Sequence, residues 1–172
     1  MPSYHVKEVI KSTVRRVAVA SVPTAFTPGF DTVMVGGFWT YMINEIADDH
    51  NVTFGDDTAK FIGVIASGVG AYWVGTNIIN KVLSGVIAVL TLNPFAFGIS
   101  AALLNVILNG YFTWSVGKKA DRIFGSIDNS EAGTEIAAQI VRAVCHIPSP
   151  SEFHDFFSES GLTIRDFKDM LD

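Results

Sequence analysis

Hydrophobic positions along this chain fall into three patterns. In the first, Val6, Val9, Ile10, Val14 and Val17 recur at helical spacing with Lys7, Lys11 and Arg15 between them, which predicts an amphipathic helix. In the second, Phe61 to Gly117 spans 57 residues with a single charge, Lys81, which leaves uncharged stretches of 20 and 36 residues. About 18 or more apolar residues suffice to cross a bilayer's hydrocarbon as a helix. In the third, beyond Phe124, the residues Ile136, Ala137, Ile140, Val141 and Val144 share one side of an otherwise polar helical segment.

Prolines and caps divide these patterns into elements. Pro23 and Pro28-Gly29 predict a bend over Val22–Phe30, because proline fixes φ and removes a donor. Asp31 is a suitable N-cap for a helix of about Thr32–Asp48. An acidic connector follows, and its last carboxylates, Asp56 and Asp57, suit the N-terminal dipole of the next helix. Asn93-Pro94 breaks the apolar run, which predicts an antiparallel hairpin of about Asp57–Leu92 and Phe95–Phe124, with a kink near Asn80–Gly85. The hairpin fits a full crossing and a re-entrant loop equally. Asn129 or Ser130 opens the next helix and Pro148 and Pro150 close it. A short helix of Ser151–Ser158 ends at Gly161, and Thr163 to Asp166 forms a capping box for a last helix to Leu171. The expected fold is all-α, a helical bundle built around a long apolar hairpin and associated with a membrane. Residues 1–128 make the apolar domain and residues 129–172 an acidic, soluble helical tail.

Within the apolar segments, small or amide residues recur every fourth position. Gly36, Thr40 and Asn44 form one stripe, Gly63, Ser67, Ala71 and Gly75 a second, and Ala101, Asn105, Asn109, Thr113 and Gly117 a third. Residues four apart stack on one helix face, and small side chains let helices approach closely in lipid. These residues are expected to be contact points for other helices, within the chain or between copies. Phe61, Ile62, Ile65, Trp73, Leu103, Leu104, Ile107 and Leu108 are then expected to face lipid. The same small residues also suit close crossings in a water-soluble bundle.

Charge refines the picture. The formal net charge of −5 argues against a nucleic-acid partner, which calls for a basic face. The first 16 residues nevertheless carry four cations, Lys7, Lys11, Arg15 and Arg16, against one carboxylate, Glu8. With Lys118 and Lys119 these are candidates for contact with anionic lipid, or simply for a solvated basic face. The positive-inside rule would put both termini on the cytoplasmic side of a membrane. Lys81 at mid-bilayer would cost about 3 kcal/mol, so it belongs at a kink, at an interface or on a wet interior path. Trp39, Tyr41, Tyr72, Trp73, Tyr111 and Trp114 suit interfacial belts or a bundle core alike.

Catalytic chemistry finds little footing. Ser115 and Lys118 have an S-x-x-K spacing without its companion motifs, and Gly68-Val69-Gly70 lacks the third glycine of a dinucleotide loop. Cys145, His146 and His154 straddle two prolines without a known metal spacing. Asn51-Val52-Thr53 matches a glycosylation sequon of the kind that arises by chance. A lone cysteine allows no intrachain disulfide. No catalytic residue, cofactor or metal is expected.

Over residues 14–124 the order of features resembles bacterial domains that accompany small GTPases of the Era or dynamin-like type, YcjF-like with EcsC-like relatives. The pieces are Pro28-Gly29-Phe30-Asp31 before an apolar helix, Ile46-Ala47 running to Val52, and the glycine-rich Gly63–Gly75. Asn93-Pro94 and Gly98, then Asn105, Tyr111-Phe112-Thr113, Gly117 and Phe124, continue the series. The resemblance implies a helical, membrane-associated module working with a GTPase, which here would act in trans. The expected function is a non-enzymatic, self-associating membrane scaffold whose partners are lipid, further copies of itself and a small GTPase. Two alternatives stand: a pore lined by Lys81 with Asn105, Asn109 and Thr113, and a soluble carrier of lipid or another hydrophobic ligand.

Overall fold

The computed structural model describes residues 3–21, 31–53, 65, 101–126 and 133–171. Gly63, Ser67, Ala71, Gly75, Lys81, Tyr72, Trp73 and the break at Asn93-Pro94 lie outside the described residues. So does nearly all of the first hairpin arm.

The described residues are all-α. Six helices run in chain order: α1 (Tyr4–Ser21), α2 (Asp31–Asp49), α3 (Ala101–Phe124), α4 (Gly133–Val144), α5 (Pro150–Ser160) and α6 (Ile164–Asp169). Helix α3 is the hub. It packs against α1, α2, α4, α5 and α6, while α1 also touches α2 and α5. Residues from all six helices, together with Ile65, join one hydrophobic core.

The amphipathic pattern of α1 is used as a bundle seam. Val6, Val9, Ile10, Val14, Val17 and Ala18 are buried, as are Thr13 and Ser21, whose hydroxyls donate to the carbonyls of Val9 and Val17 four residues back.

The ends of the helices are set by local chemistry. Helix α2 stops in a Schellman motif. Asn51 takes the left-handed conformation (φ 55°), its N–H bonds the Asp48 carbonyl, and the Val52 N–H reaches back to Ala47 at 2.8 Å. Val52 is buried at the end of the motif. Helix α5 begins one residue before the expected Ser151. Ser149 is the N-cap and shares a capping box with Glu152, so Pro150 falls in the first turn, where its missing N–H costs nothing. Gly161 closes α5 with φ 63°, and Thr163 with Asp166 caps α6 as the sequence predicts.

The expected second hairpin arm is the central core helix. Leu103, Leu104, Ile107 and Leu108, assigned from sequence to lipid, are buried by the chain itself, as is Ile65. Among the described residues no helix is long and apolar enough to cross a membrane. The reason lies in α3's composition. Its first four turns are largely apolar, a pattern that lipid and packed neighbours satisfy alike, and here neighbours supply the cover; Lys118, Lys119, Asp121 and Arg122 end the apolar stretch.

Candidate functional site

The small-residue stripe of α3 forms the seam where three helices meet. A Cβ on Gly117 would lie 2.7 Å from Ile10 Cγ1 and 3.0 Å from Met42 Sδ, so α1 and α2 both close onto bare backbone there. One turn earlier, the fully buried Thr113 accepts a hydrogen bond from Trp39 Nε1 at 3.0 Å and donates to the Asn109 carbonyl at 2.8 Å. Asn109 Nδ2 donates to Ser21 Oγ at 3.1 Å. Asn109, Thr113 and Gly117 therefore hold helices together within one chain. Thr113 faces Trp39. Thr40 and Asn44 on α2 are half-buried. Gly36, Ala101 and Asn105 lie in helices, their surroundings outside the described residues.

Continuing the stripe one step reaches Asp121, a charged residue that breaks the small-residue pattern. Its buried carboxylate bonds His50 Nε2 at 3.0 Å and so ties the end of α2 to α3. Gly110, also outside the stripe, does the corresponding job two turns before Gly117 for the C-terminal helices. There a Cβ would meet the Phe167 ring at 3.2 Å and Phe156 Cζ at 3.4 Å.

The basic residues of α1 point away from the seam. Lys7, Arg15 and Arg16 are exposed and Lys11 half-buried. The Arg16 guanidinium lies 5.7 Å from the centre of the exposed Tyr41 ring, and His5 pairs with Glu45 at 3.3 Å. Lys11 reaches Gly161, about 3.5 Å from where a Cβ would sit. The Asp166 carboxyl, held below its ordinary range by the Thr163 hydroxyl and N–H, also feels Arg15. The basic strip thus runs beside the acidic tail.

A cleft of about 220 Å³ opens between the C-terminal half of α3 and one side of α5. Trp114, Ser115, Lys118, Lys119 and Arg122 form one wall; Glu152, Asp155 and Glu159 form the other. Glu159 straps the two walls together, accepting from Trp114 Nε1 at 3.1 Å and pairing with Lys118 Nζ at 2.9 Å. Glu152 accepts from the Ser149 N–H at 2.8 Å and pairs with His146 Nε2 at 2.7 Å. Burial by itself would raise the Glu152 carboxyl, but these partners outweigh it and the pKa lies below the ordinary value. Next to Ser115, the buried Tyr111 Oη makes no hydrogen bond of good geometry. Desolvation pushes this phenol far above its ordinary pKa, with the Glu152 charge adding to the effect.

The remaining reactive groups have ordinary settings. Burial raises the Cys145 thiol, which disfavours the nucleophilic thiolate. His154 is exposed, 3.6 Å from Asp155. Among the described residues no group of three or more His, Cys, Asp or Glu side chains is placed to hold a metal ion.

No protein-family model matches this sequence, and neither a curated protein nor a solved structure matches it significantly.

Proposed function

We propose that this chain is a non-enzymatic helical adaptor that works at a membrane surface and engages a small GTPase in trans. The observation that carries the membrane half is the presentation of α1. Its apolar side is held in the bundle while Lys7, Arg15 and Arg16 stand outward on a rigid support. Each Lys or Arg near an anionic leaflet contributes about 1 kcal/mol, so three such residues supply about 3 kcal/mol of salt-sensitive attraction, which needs a second source of affinity. The sparsely charged stretch ahead of α3 adds apolar affinity that the basic strip alone would lack. The GTPase half rests on the resemblance over residues 14–124. Self-association belongs to the Gly63, Ser67, Ala71 and Gly75 stripe, because Asn109, Thr113 and Gly117 are occupied within the chain.

Flotation with phosphatidylserine-containing and pure phosphatidylcholine vesicles tests the membrane half. The protein should float with the anionic vesicles, come off as salt rises, and stay behind when Lys7, Arg15 and Arg16 are all replaced by Glu. Equal recovery from both vesicle types, unaffected by charge reversal, would remove the basis for this reading.

A further inference from the structure

Four large hydrophobic side chains are exposed among the described residues, and three of them gather on or beside α1: Tyr4 at 81%, Val19 at 57% and Tyr41 at 44%. A single exposed apolar residue needs no explanation. The register of these does. Tyr4, Glu8, Lys11, Arg15 and Val19 follow one another at steps of four, three, four and four, which sets them on one line of the helix. Val6, Val9, Val14 and Val17 fill the core from the other side. Bundle packing therefore accounts for the buried valines and for neither apolar end of the outward line. At about 1.5 Å per residue those ends stand roughly 22 Å apart, with Lys11 and Arg15 between them.

Tyr41 supplies a second, independent observation. It belongs to α2, yet the Arg16 guanidinium lies 5.7 Å from the centre of its exposed ring, so a second helix adds an aromatic to the cationic side of α1. The charge of this side also runs against the rest of the molecule. Helix α1 carries four cations and one carboxylate in a chain whose formal charge is −5. An anionic surface attracts this side and repels the acidic remainder, which orients the protein as it approaches.

We propose that α1 lies flat on an anionic lipid surface, with Tyr4, Val19 and Tyr41 entering the headgroup layer between the cations that meet the lipid phosphates. The inference rests on the membrane reading above and deepens it, because it places a second source of affinity on the folded helix itself. Interfacial helices combine buried apolar area with attraction to anionic lipid in this way, and tyrosine suits the boundary because its ring is apolar and its hydroxyl polar. A nucleic acid or an acidic protein would pair with the same cations but leave Tyr4 and Val19 in water. A fluid interface takes up both kinds of side chain along one convex helix.

Cosedimentation of the full chain with phosphatidylserine-containing vesicles tests this. Replacing both ends of the line, Tyr4→Ser with Val19→Ser, alters exposed positions only, so the circular dichroism spectrum should be unchanged while binding weakens by about tenfold. Ile147→Ser removes the exposed apolar residue between α4 and α5 and should bind as the unaltered protein does. Glu8→Gln removes the one repulsive charge on the line and should tighten binding by about fivefold. If binding stays salt-sensitive and selective for anionic lipid but ignores the double serine change, attachment is ionic alone. Insertion is then overturned while the membrane reading survives. An equal loss with Ile147→Ser, or no tightening with Glu8→Gln, would take this line off the membrane. Failure of the unaltered protein to bind anionic vesicles would overturn both readings together.

Discussion

Gly117 and Gly37 are both helical glycines, yet replacing each with alanine should move stability in opposite directions. Alanine is better than glycine in a helix interior by about 1 kcal/mol, whatever surrounds it. At Gly37, on the exposed side of α2, a Cβ meets nothing within 4 Å, so the full benefit is realised. At Gly117 the new methyl sits 2.7 Å from Ile10 Cγ1 and 3.0 Å from Met42 Sδ. The Ile10 atom belongs to the branched root of a buried side chain and cannot swing aside, so α1 must shift. Overpacking of this kind costs about 1–3 kcal/mol. Set against the helix gain, Gly117→Ala should be destabilised by about 0–2 kcal/mol, and the two variants should differ by about 1–3 kcal/mol. Urea unfolding followed by circular dichroism reads the difference as a change in midpoint at constant slope. In a 172-residue chain, each kcal/mol also moves the thermal midpoint by about 2–4 °C. If Gly117→Ala were stabilised as much as Gly37→Ala, the convergence of α1 and α2 on bare α3 backbone would be refuted.

Thr113→Val would leave the Trp39 indole N–H without an acceptor in the core and should cost about 1–3 kcal/mol, whereas Thr113→Ser keeps the oxygen. Unfolding monitored by tryptophan fluorescence separates them, and a valine variant as stable as the serine one would exclude the bond. Tyr111 predicts a pH effect. Its folded pKa is raised, so the stability it contributes is intact below the ordinary value of 10.0 and disappears as pH rises through the folded value. In a spectrophotometric titration Tyr111 should ionise only as the protein unfolds, and Tyr111→Phe should remove that late phase; early ionisation in the folded state would contradict the burial described.

The sequence made visible what local chemistry decides. The seam of α1, the Gly161 terminus and the Thr163–Asp166 cap were readable because each depends on residues within a few positions of one another. The far end of the third stripe was readable as a place where helices touch. What covers α3 was not readable, because the apolar stretch that fills its first turns has the same pattern in lipid and in a protein core. Its cover comes from remote segments, α1 and α2 upstream and the aromatic tail downstream. Gly110 fell outside the four-residue rhythm, and its partners Phe156 and Phe167 lie in that tail. His50 looked like part of an acidic connector until its partner, 71 residues away, was in place. Asn51, a sequon by letters, is a helix stop by conformation. The cleft was invisible for a related reason: Lys118 and Lys119 suggested a membrane flank, and only the return of α5 sets carboxylates opposite them.

The pairing of α1 with α3 joins Ser21 to Asn109 across 88 residues of chain. A ribosome adding about 5–20 residues each second needs roughly five to twenty seconds to span that interval. Throughout synthesis of the intervening stretch, the valine side of the first helix is a sticky strip still awaiting its match. Of the described helices, α2 alone is made early enough to cover that strip before the hub emerges.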